Sequence, residues 1–163
     1  MKIAIISDIH DNLVNLKKCL GWCADNLVEK IICCGDVANG ETLEIISRRF
    51  AGEIFLVRGN MEIYEEAEIA PLKNYTYGGR TALWEIGGKK VGVCHEPFLI
   101  KEVLAKGSPN IVFYGHTHKP WIETKNGVQI ANPGTLGGVL SRATFAFWDT
   151  ETGRLELKIL DLL

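Results

Sequence analysis

Two short segments of the sequence each carry a pair of potential metal ligands directly after an apolar run. Residues 6–10 read ISDIH and residues 114–118 read YGHTH. The first segment pairs an aspartate with a histidine and the second pairs two histidines, with one residue between the partners in both cases. Carboxylate and imidazole groups are common ligands of divalent metal ions. Both segments therefore suggest metal coordination at the end of a buried strand.

Three further apolar runs are also followed by polar side chains. Asp36 follows Gly35, Asn60 follows Gly59, and His95 follows an apolar run directly. Ligands of α/β proteins bind at the carboxyl ends of the strands, because the loops there converge on one edge of the sheet. The side chains expected at this edge are Asp8, His10, Asp36, Asn60, His95, His116 and His118. They include all four histidines of the chain.

This set suits a metal centre better than a series of unrelated turns. Asp36 or Asn60 alone could be an ordinary turn or helix-cap residue, and a lone Asp-x-His pair is weak evidence. Five strand ends that are all followed by potential metal ligands are much harder to explain as separate turns or helix caps. Nitrogen and oxygen ligands favour Mn, Fe, Zn, Ni or Co over a structural zinc site, which usually contains thiolates. Seven ligands are too many for one tetrahedral ion and suffice for two ions that share a bridging carboxylate.

The first half of the sequence alternates strand and helix patterns. The fully apolar run at 3–6 predicts a strand that is buried on both faces, and the runs at 30–34 and 54–57 predict two further strands. Apolar residues at three- and four-residue spacing predict an amphipathic helix over 13–27, with Asn12 as its N-cap. The apolar positions are Leu13, Leu16, Leu20, Ala24 and Leu27 in this helix, and Leu43, Ile46 and Phe50 in a second one. This β-α-β-α-β order favours a parallel sheet with right-handed crossovers.

The second half changes to a mixture of hairpins and single strands. The expected elements are two strands about a Gly-Gly turn at 81–96, a helix at 98–106, and strands at 111–114, 122–131 and 144–160. Asn126-Gly127 predicts a hairpin within 122–131. The two halves together predict an α/β (α+β) fold, namely a four-layer α-β-β-α sandwich of two mixed sheets flanked by helices. The sequence contains no repeat or linker, so we expect a single domain over 1–163.

The composition is that of an ordinary globular protein. Apolar residues make up 47% and charged residues 23% of the chain, and the net charge is −2. The lysine and arginine residues are scattered, so the sequence predicts no nucleic-acid-binding face. No apolar stretch approaches the roughly 18 residues of a membrane span, and an acidic residue follows the N-terminus too closely for a signal peptide. Five cysteines without a CxxC pair indicate a reducing compartment, so we expect a cytoplasmic protein.

Five motifs together resemble the calcineurin-like metallophosphoesterase superfamily. They are SDIHDN at 7–12, CGDVAN at 34–39, VRGNME at 57–62, YGHTH at 114–118 and ANPGT at 131–135. The resemblance covers nearly the whole chain, and the small single-domain phosphodiesterases of bacteria and archaea are the closest kind. It implies a pair of mixed sheets between helices, in agreement with the pattern above. It also implies a metal-dependent phosphodiesterase that acts on a small phosphodiester.

The resemblance further implies a role for each ligand. The implied roles are Asp8, His10 and His118 on a first metal ion, Asn60, His95 and His116 on a second, and Asp36 as the bridge. The resemblance implies two divalent transition-metal ions, whether Mn, Ni, Co, Fe or Zn, which would clamp the phosphoryl group and supply a hydroxide from an acidified water to attack phosphorus in line. Asn60, His95 and His116 are therefore also expected to take part in catalysis, and no side-chain nucleophile is required.

Contacts to the substrate are implied at two places. The segment 132–135, Asn-Pro-Gly-Thr, matches a family loop and is either a turn after a strand or a loop that lines the phosphate pocket, with Arg142 nearby. For Asn12 the preferred interpretation is a helix cap, and the alternative is a contact to the phosphate. Under the functional interpretation, Asn12 and Arg142 would bind the substrate.

Two departures from the family pattern bear on the substrate. Met61 and Glu62 follow Asn60, where many relatives have histidine or cysteine and then aspartate. A histidine there helps to protonate the leaving group and methionine cannot, so the site would depend on good leaving groups, on water or on another histidine. Glu96 follows His95 where glycine is common, and it could narrow the pocket or make it more negative.

Two other functions remain open from the sequence. The chain could be a protein-binding scaffold, like the eukaryotic retromer subunit that resembles this family, with its tryptophans as a docking surface. Those tryptophans are Trp22, Trp84, Trp121 and Trp148. The chain could also be a metal-dependent phosphomonoesterase or nucleotidase. In either case the predicted hairpins at 81–94 and 122–131 could pair edge to edge in a homodimer.

Overall fold

The computed structural model describes residues 1–163 and contains eleven strands and four α-helices. The strands are β1 (Lys2–Ile6), β2 (Lys30–Cys33), β3 (Glu53–Leu56), β4 (Tyr75–Tyr77), β5 (Thr81–Ile86), β6 (Lys89–Cys94), β7 (Ile111–Phe113), β8 (Trp121–Lys125), β9 (Val128–Asn132), β10 (Thr144–Asp149) and β11 (Leu155–Ile159). The helices are α1 (Leu13–Asp25), α2 (Gly40–Arg49), α3 (Glu66–Ile69) and α4 (Ile100–Lys106). Two 3-10 turns, Pro97–Leu99 and Leu160–Leu162, complete the elements.

The strands form two mixed sheets. The first has six strands in the order β11-β10-β1-β2-β3-β4, and β1 to β4 run parallel to one another. The second has five strands in the order β5-β6-β7-β9-β8, and β6, β7 and β9 run parallel. The carboxyl ends of parallel neighbours lie at one edge of their sheet, so the loops that follow them are brought together.

Strand β1 illustrates why the first sheet is buried on both faces. Ile3 and Ile5 belong to the apolar cluster between the two sheets, whereas Ala4 and Ile6 belong to the cluster that the sheet shares with α1 and α2. Successive side chains of a strand point to opposite faces, so a fully apolar run contributes to two cores at once. All four side chains are at most 1% exposed.

Helices cover the outer face of each sheet. Leu16 of α1 and Leu43 of α2 are buried in the outer cluster of the first sheet. On the second sheet, Val103 of α4 packs in a smaller cluster with Cys94 and Val112. The predicted four-layer α-β-β-α sandwich is therefore confirmed. None of the helices is both long enough and apolar enough to cross a membrane.

The structure corrects several element boundaries. The sequence does not predict α3 and β4, because four and three residues are too few for a periodic pattern. The helix predicted over 13–27 ends at Asp25, and Leu27 is 74% exposed rather than part of the apolar face. Ala24 is exposed as well. The region 144–160 contains two strands, β10 and β11, which pair antiparallel.

The Asn-Gly turn is confirmed as a hairpin. Asn126 and Gly127 have φ values of 52° and 79°, which is the left-handed backbone that a type I′ turn requires. They connect β8 to β9, and β8 forms one outer strand of the second sheet while β5 forms the other. The two hairpins thus end at sheet edges, and the homodimer stays a prediction.

Candidate active site

The seven predicted ligands lie in the loops that follow β1, β2, β3, β6 and β7. Backbone hydrogen bonds fix these loops to one another. The N–H of Asp8 donates to the carbonyl oxygen of Gly35 at 3.0 Å, and the N–H of Gly115 donates to that of His95 at 2.9 Å. The N–H of His116 donates to Oδ2 of Asp8 at 3.1 Å and so links the two sheets. The predicted convergence at the strand ends is therefore observed.

Asp8, His10 and His118 form one compact group. Oδ1 of Asp8 lies 3.1 Å from Nε2 of His118, and the Nε2 atoms of His10 and His118 are 3.4 Å apart. Asp8 is fully buried, whereas both histidines are partly exposed. The three ligand atoms all lie within 4.8 Å of one another, which is the spacing of groups that can share one metal ion.

A second compact group consists of Asp8, Asp36 and His95, so Asp8 is common to both groups. Oδ2 of Asp36 lies 3.2 Å from Nε2 of His95 and 3.9 Å from Nε2 of His10. Oδ1 of Asp36 accepts a hydrogen bond of 2.8 Å from the backbone N–H of Met61. One carboxylate oxygen of Asp36 therefore faces histidines of both groups, while the backbone holds the other.

Asn60 and His116 extend the cluster beyond His95. Oδ1 of Asn60 lies 2.8 Å from Nδ1 of His116. The rings of His95 and His116 are nearly perpendicular, with centroids 5.3 Å apart. All seven predicted ligands thus belong to one continuous cluster, and Asn60 and His116 form its exposed end.

Backbone carbonyl groups orient two of the histidines. Nδ1 of His95 lies 2.7 Å from the carbonyl oxygen of Cys34, and Nδ1 of His118 lies 3.1 Å from that of Val139. A carbonyl oxygen can only accept, so each Nδ1 carries the proton and donates it. Each Nε2 is then left with a lone pair directed at the carboxylates, which is how proteins usually prepare a metal-binding histidine.

Two buried polar atoms of the cluster lack a hydrogen-bond partner. They are Oδ1 of Asp8 and Nε2 of His95. An unsatisfied buried polar group costs about 1–3 kcal/mol, so such atoms are rare without a functional reason. A divalent cation would satisfy both atoms at once, because each offers a lone pair to the same region. The residues present therefore fit divalent metal ions.

Burial and neighbouring charges shift the pKa values of these groups. Burial raises the pKa of Asp8, although the charges of His95 and His118 oppose the change. Burial would also raise the pKa of Asp36, but the charge of His95, whose Nε2 lies 3.2 Å away, outweighs it and the pKa is lowered. For His95 burial favours a lower pKa, and the Asp36 and Asp8 carboxylates outweigh it so that the pKa is raised. The buried carboxylates therefore stabilise a positive charge beside them, whether a proton or a metal ion.

Comparison with known proteins assigns the chain to a family. The sequence profile of the calcineurin-like phosphoesterase superfamily domain matches residues 1–153. The chain belongs to this superfamily. A phosphodiesterase of Methanocaldococcus jannaschii is 28% identical to this phosphoesterase, over 93% of the chain and 94% of the relative.

Two solved structures share the fold of this phosphoesterase. An archaeal phosphodiesterase superimposes with a TM-score of 0.88 at 26% identity, and the match covers 98% of this chain and 99% of the other. The vacuolar protein sorting 29 protein of Cryptosporidium parvum superimposes with a TM-score of 0.70 at 20% identity, over 96% of this chain and 95% of the other. The second likeness shows the fold alone.

Glu62 of this phosphoesterase is turned toward the backbone rather than toward the side chains of the predicted metal ligands. Its carboxylate accepts hydrogen bonds from the N–H groups of Val37, Ala38 and Gly59. Met61 is 57% exposed and contributes its backbone N–H to the site, not a proton-donating side chain. Sequence reasoning missed the role of Glu62, and its only local signal is a carboxylate two residues after Asn60.

Glu96 is paired with a nearby cation. Oε1 of Glu96 lies 3.5 Å from Nη2 of Arg80, which precedes β5. Glu96 itself is buried, and the exposed Arg80 offsets part of its negative charge. The expected electrostatic effect of Glu96 on the pocket is therefore reduced.

The Asn-Pro-Gly-Thr segment supports the ligand loops through long-range hydrogen bonds. Oγ1 of Thr135 donates to the carbonyl oxygen of Asp8 at 2.9 Å. Nδ2 of Asn132 donates to the carbonyl oxygen of Gly115 at 2.8 Å. Asn132 and Thr135 are both fully buried. These contacts favour the interpretation of the segment as a structural turn.

Asn12 and Arg142 do not join the cluster through hydrogen bonds. Oδ1 of Asn12 accepts from the N–H of Asn15, as an N-cap should, and its Nδ2 donates to the carbonyl oxygen of Gly137. The polar atoms of Asn12 are thus used to hold α1 and the loop after β9. The side chain of Arg142 is exposed and forms no hydrogen bond. A substrate contact by either residue stays a prediction.

Several ligands adopt an uncommon backbone conformation. The ligands with left-handed φ are Asp8 (54°), His10 (46°), Asp36 (54°), His116 (67°) and His118 (57°). Left-handed backbone is uncommon for residues other than glycine, although Asp and His tolerate it better than most, and strained residues cluster at functional sites. These turns direct the chain sharply away from the strand ends.

Proposed function

We propose that this phosphoesterase is a metal-dependent phosphodiesterase with a two-metal site, and that residues 1–163 act as one metallophosphoesterase domain. The observation that carries the proposal is the position of Asp36, whose Oδ2 faces His95 at 3.2 Å and His10 at 3.9 Å. A carboxylate oxygen between two sets of histidines suits a bridge between two ions. The family match over residues 1–153 supports the assignment as a phosphoesterase.

Within this proposal, the ligands divide into two sets around Asp36. The sets are Asp8, His10 and His118 for the first ion, and Asn60, His95 and His116 for the second. Bound divalent ions would neutralise charge on the phosphoryl oxygens and lower the pKa of a coordinated water. The buried carboxylates of Asp8 and Asp36 supply the negative charge, and the hydrogen bond to the Cys34 carbonyl places the proton of the neutral His95 ring on Nδ1, which leaves Nε2 for coordination.

The exposed end of the cluster is where we place the substrate. Asn60 and His116 are solvent-exposed, whereas Asp8 and His95 are fully buried, so a phosphoryl group reaches the ligands from the Asn60 and His116 side. All four histidines are engaged within the cluster, which leaves none to protonate the leaving group. We therefore expect the enzyme to favour phosphodiesters whose leaving group departs without a proton.

The metal is proposed to be a transition ion with a preference for nitrogen and oxygen ligands, such as Mn, Ni, Co, Fe or Zn. None of the five cysteines belongs to the cluster, and all five are free and buried. Thiolate ligands are typical of structural zinc sites and of softer metal ions. Their absence from the ligand set therefore favours a hydrolytic site. Five unpaired thiols also support our proposal of a cytoplasmic location, where thiols stay reduced.

The scaffold alternative receives less support. Trp22, Trp84 and Trp148 pack against Phe145, Phe55 and Phe113, with ring centroids 5.0, 5.1 and 5.8 Å apart. Only Trp121 is more than half exposed, so the tryptophans do not form a common docking surface. A scaffold also gains nothing from a complete set of buried, oriented ligands. The phosphodiesterase is therefore the function that we propose.

Hydrolysis of bis-p-nitrophenyl phosphate with added Mn²⁺, Ni²⁺ or Co²⁺ tests the proposal. The wild type should release nitrophenolate, and Asp36→Ala and His116→Ala should lose more than about 100-fold, beyond the loss typical of residues outside the ligand shell. Asp161→Ala, at an exposed residue 3.7 Å from Nζ of Lys18, is the matched control and should retain full activity. Equal rates in all four proteins would refute the assignment.

A parallel assay on p-nitrophenyl phosphate separates a diesterase from a monoesterase. The two substrates share a leaving group and differ in the charge of the phosphoryl group. Faster hydrolysis of the diester supports the proposal, and a preference for the monoester would identify a phosphomonoesterase instead.

A further inference from the structure

The carboxylate of Glu62 joins two of the loops that carry metal ligands. Its Oε1 accepts from the N–H of Val37 at 3.3 Å and from that of Gly59 at 3.1 Å. Its Oε2 accepts from the N–H of Ala38 at 2.9 Å. One side chain therefore receives three backbone hydrogen bonds, two from the loop after β2 and one from the loop after β3.

Two of these three bonds are made by residues next to a predicted ligand. Val37 follows Asp36 directly, and Gly59 directly precedes Asn60. The successive N–H groups of Val37 and Ala38 form a small concave site for an anion, which the Glu62 carboxylate fills. The Glu62 carboxylate thus ties the residue after Asp36 to the residue before Asn60.

Further bonds show that the segment 59–64 wraps around the loop of Asp36. The N–H of Met61 donates to Oδ1 of Asp36 at 2.8 Å, and the N–H groups of Ile63 and Tyr64 donate to the carbonyl oxygen of Ala38 at 2.8 and 3.1 Å. These bonds use backbone atoms of the segment. Glu62 is the one side chain of the segment that contributes three bonds to the same junction.

We infer that Glu62 is a positioning residue that sets the separation of Asp36 and Asn60 and thereby the affinity of the second metal ion. This inference rests on the two-metal function proposed above. A residue that only stabilises the fold would affect unfolding without changing metal binding. A positioning residue would weaken the binding of the ion held by Asn60, His95 and His116 more than that of the ion held by Asp8, His10 and His118, because the first ion shares Asp36 but not Asn60.

Glu62→Gln is the sharpest variant, because it keeps the size of the side chain and replaces one acceptor oxygen with a donor NH₂ group. The amide can no longer accept from all three N–H groups, and its NH₂ must face at least one of them. Substitutions that disturb residues behind metal ligands usually cost about 10- to 100-fold in metal affinity. We expect a loss of that size at the second ion and a smaller loss at the first.

Glu53→Gln is a matched control at the opposite end of the strands. The Glu53 carboxylate also joins two elements, because it accepts from Nζ of Lys30 and from Oγ1 of Thr76. Glu53 begins β3, whereas the ligands follow its end. This variant should bind both ions as the wild type does, even if its unfolding midpoint falls.

Calorimetric titration of the metal-free proteins with Mn²⁺ measures both affinities, and the visible spectrum of the Co²⁺-loaded proteins reports the geometry of the ions. We expect the wild type to bind two ions. In Glu62→Gln the affinity for the second ion should be about 10- to 100-fold lower, and the Co²⁺ spectrum should be altered. Two ions bound to Glu62→Gln with wild-type affinity would overturn the inference. A wild type that binds a single ion would refute the two-metal function itself, so the two failures are distinguishable.

Glu62→Asp keeps the proposal testable if Glu62→Gln does not fold. The aspartate retains the charge, but its carboxylate is shorter by one methylene and cannot reach all three N–H groups. A folded Glu62→Asp protein should lose part of the affinity for the second ion. An unchanged second affinity in that protein would overturn the inference as well.

Discussion

Nδ1 of His95 donates a hydrogen bond of 2.7 Å to the backbone carbonyl oxygen of Cys34. Cys34 follows β2 in the first sheet and His95 follows β6 in the second, so the bond crosses between the sheets. It fixes the tautomer of a fully buried ring and directs the lone pair of Nε2 toward Oδ2 of Asp36, 3.2 Å away. His95 is therefore ready to coordinate a metal whenever Nε2 is unprotonated.

The affinity for Mn²⁺ should fall as the pH is lowered. Burial acts to lower the pKa of His95, but the negative charges of Asp36 and Asp8 outweigh it, so the pKa lies above the ordinary value of 6.5. Below this raised pKa a proton occupies Nε2 and competes with the metal. Calorimetric titrations between about pH 8 and about pH 6 should show a loss approaching tenfold per pH unit on the acid side of the pKa. An affinity that is flat over this range would contradict the prediction.

Gly59→Ala should disturb the carboxylate of Asp36. A Cβ atom at position 59 would collide with Oδ1 and the backbone nitrogen of Asp36. Since the collision involves backbone, we expect a loss of about 1–3 kcal/mol in the free energy of unfolding, as for overpacked sites, together with weaker Mn²⁺ binding. Urea denaturation and metal titration measure both effects.

Gly21→Ala is the control for this substitution. Gly21 lies within α1, and a Cβ atom there would have no neighbour within 4 Å. We expect it to stabilise the protein by about 0.5–1 kcal/mol, because alanine is the better helix former, without a change in metal binding. Equal metal affinity in both variants would show that the close approach of Gly59 to Asp36 is not required.

Met61→His should accelerate hydrolysis of esters with poor leaving groups. Met61 is 57% exposed and adjacent to Asn60, so an imidazole fits there without displacing the core. A positioned general acid contributes roughly 10²–10⁴-fold, and we expect the lower end of that range for a phenyl ester and little change for a p-nitrophenyl ester. Met61→Leu is the control and should change neither rate. A uniform effect of Met61→His on both esters would argue against leaving-group protonation.

Thr135→Val should weaken the support of the Asp8 loop. Oγ1 of Thr135 donates to the carbonyl oxygen of Asp8, which also accepts from the N–H of Gly137. The valine keeps the shape of the side chain and removes one of these two bonds, so we expect a loss of about 1 kcal/mol in the free energy of unfolding of the metal-free protein. Thr124→Val, on the exposed part of β8, should stay within about 0.5 kcal/mol of the wild type. Urea denaturation of both variants makes the comparison.

The order of the motifs was sufficient to predict the fold class and to predict that seven potential ligands lie close together. The reason is physical: β1, β2, β3, β6 and β7 read as apolar runs, and parallel strands leave their following loops at one sheet edge. The short elements α3 and β4 have no periodic pattern and could not be predicted. Leu27 matches helical spacing yet lies beyond the end of α1, because spacing does not show where a helix ends.

Only the tertiary structure decided how the ligands are oriented. The hydrogen bonds of His95 to Cys34, of Thr135 to Asp8 and of Asn132 to Gly115 join residues 61, 127 and 17 positions apart, respectively. Glu62 reaches Val37 and Ala38 in the same way. A sequence states which groups can donate and accept, but their partners depend on which loops meet after the sheets have packed. The sequence therefore determined the residue types of the candidate metal site. The tertiary structure determined the histidine tautomers, the hydrogen bonds that hold the loops and the distances between the ligand atoms.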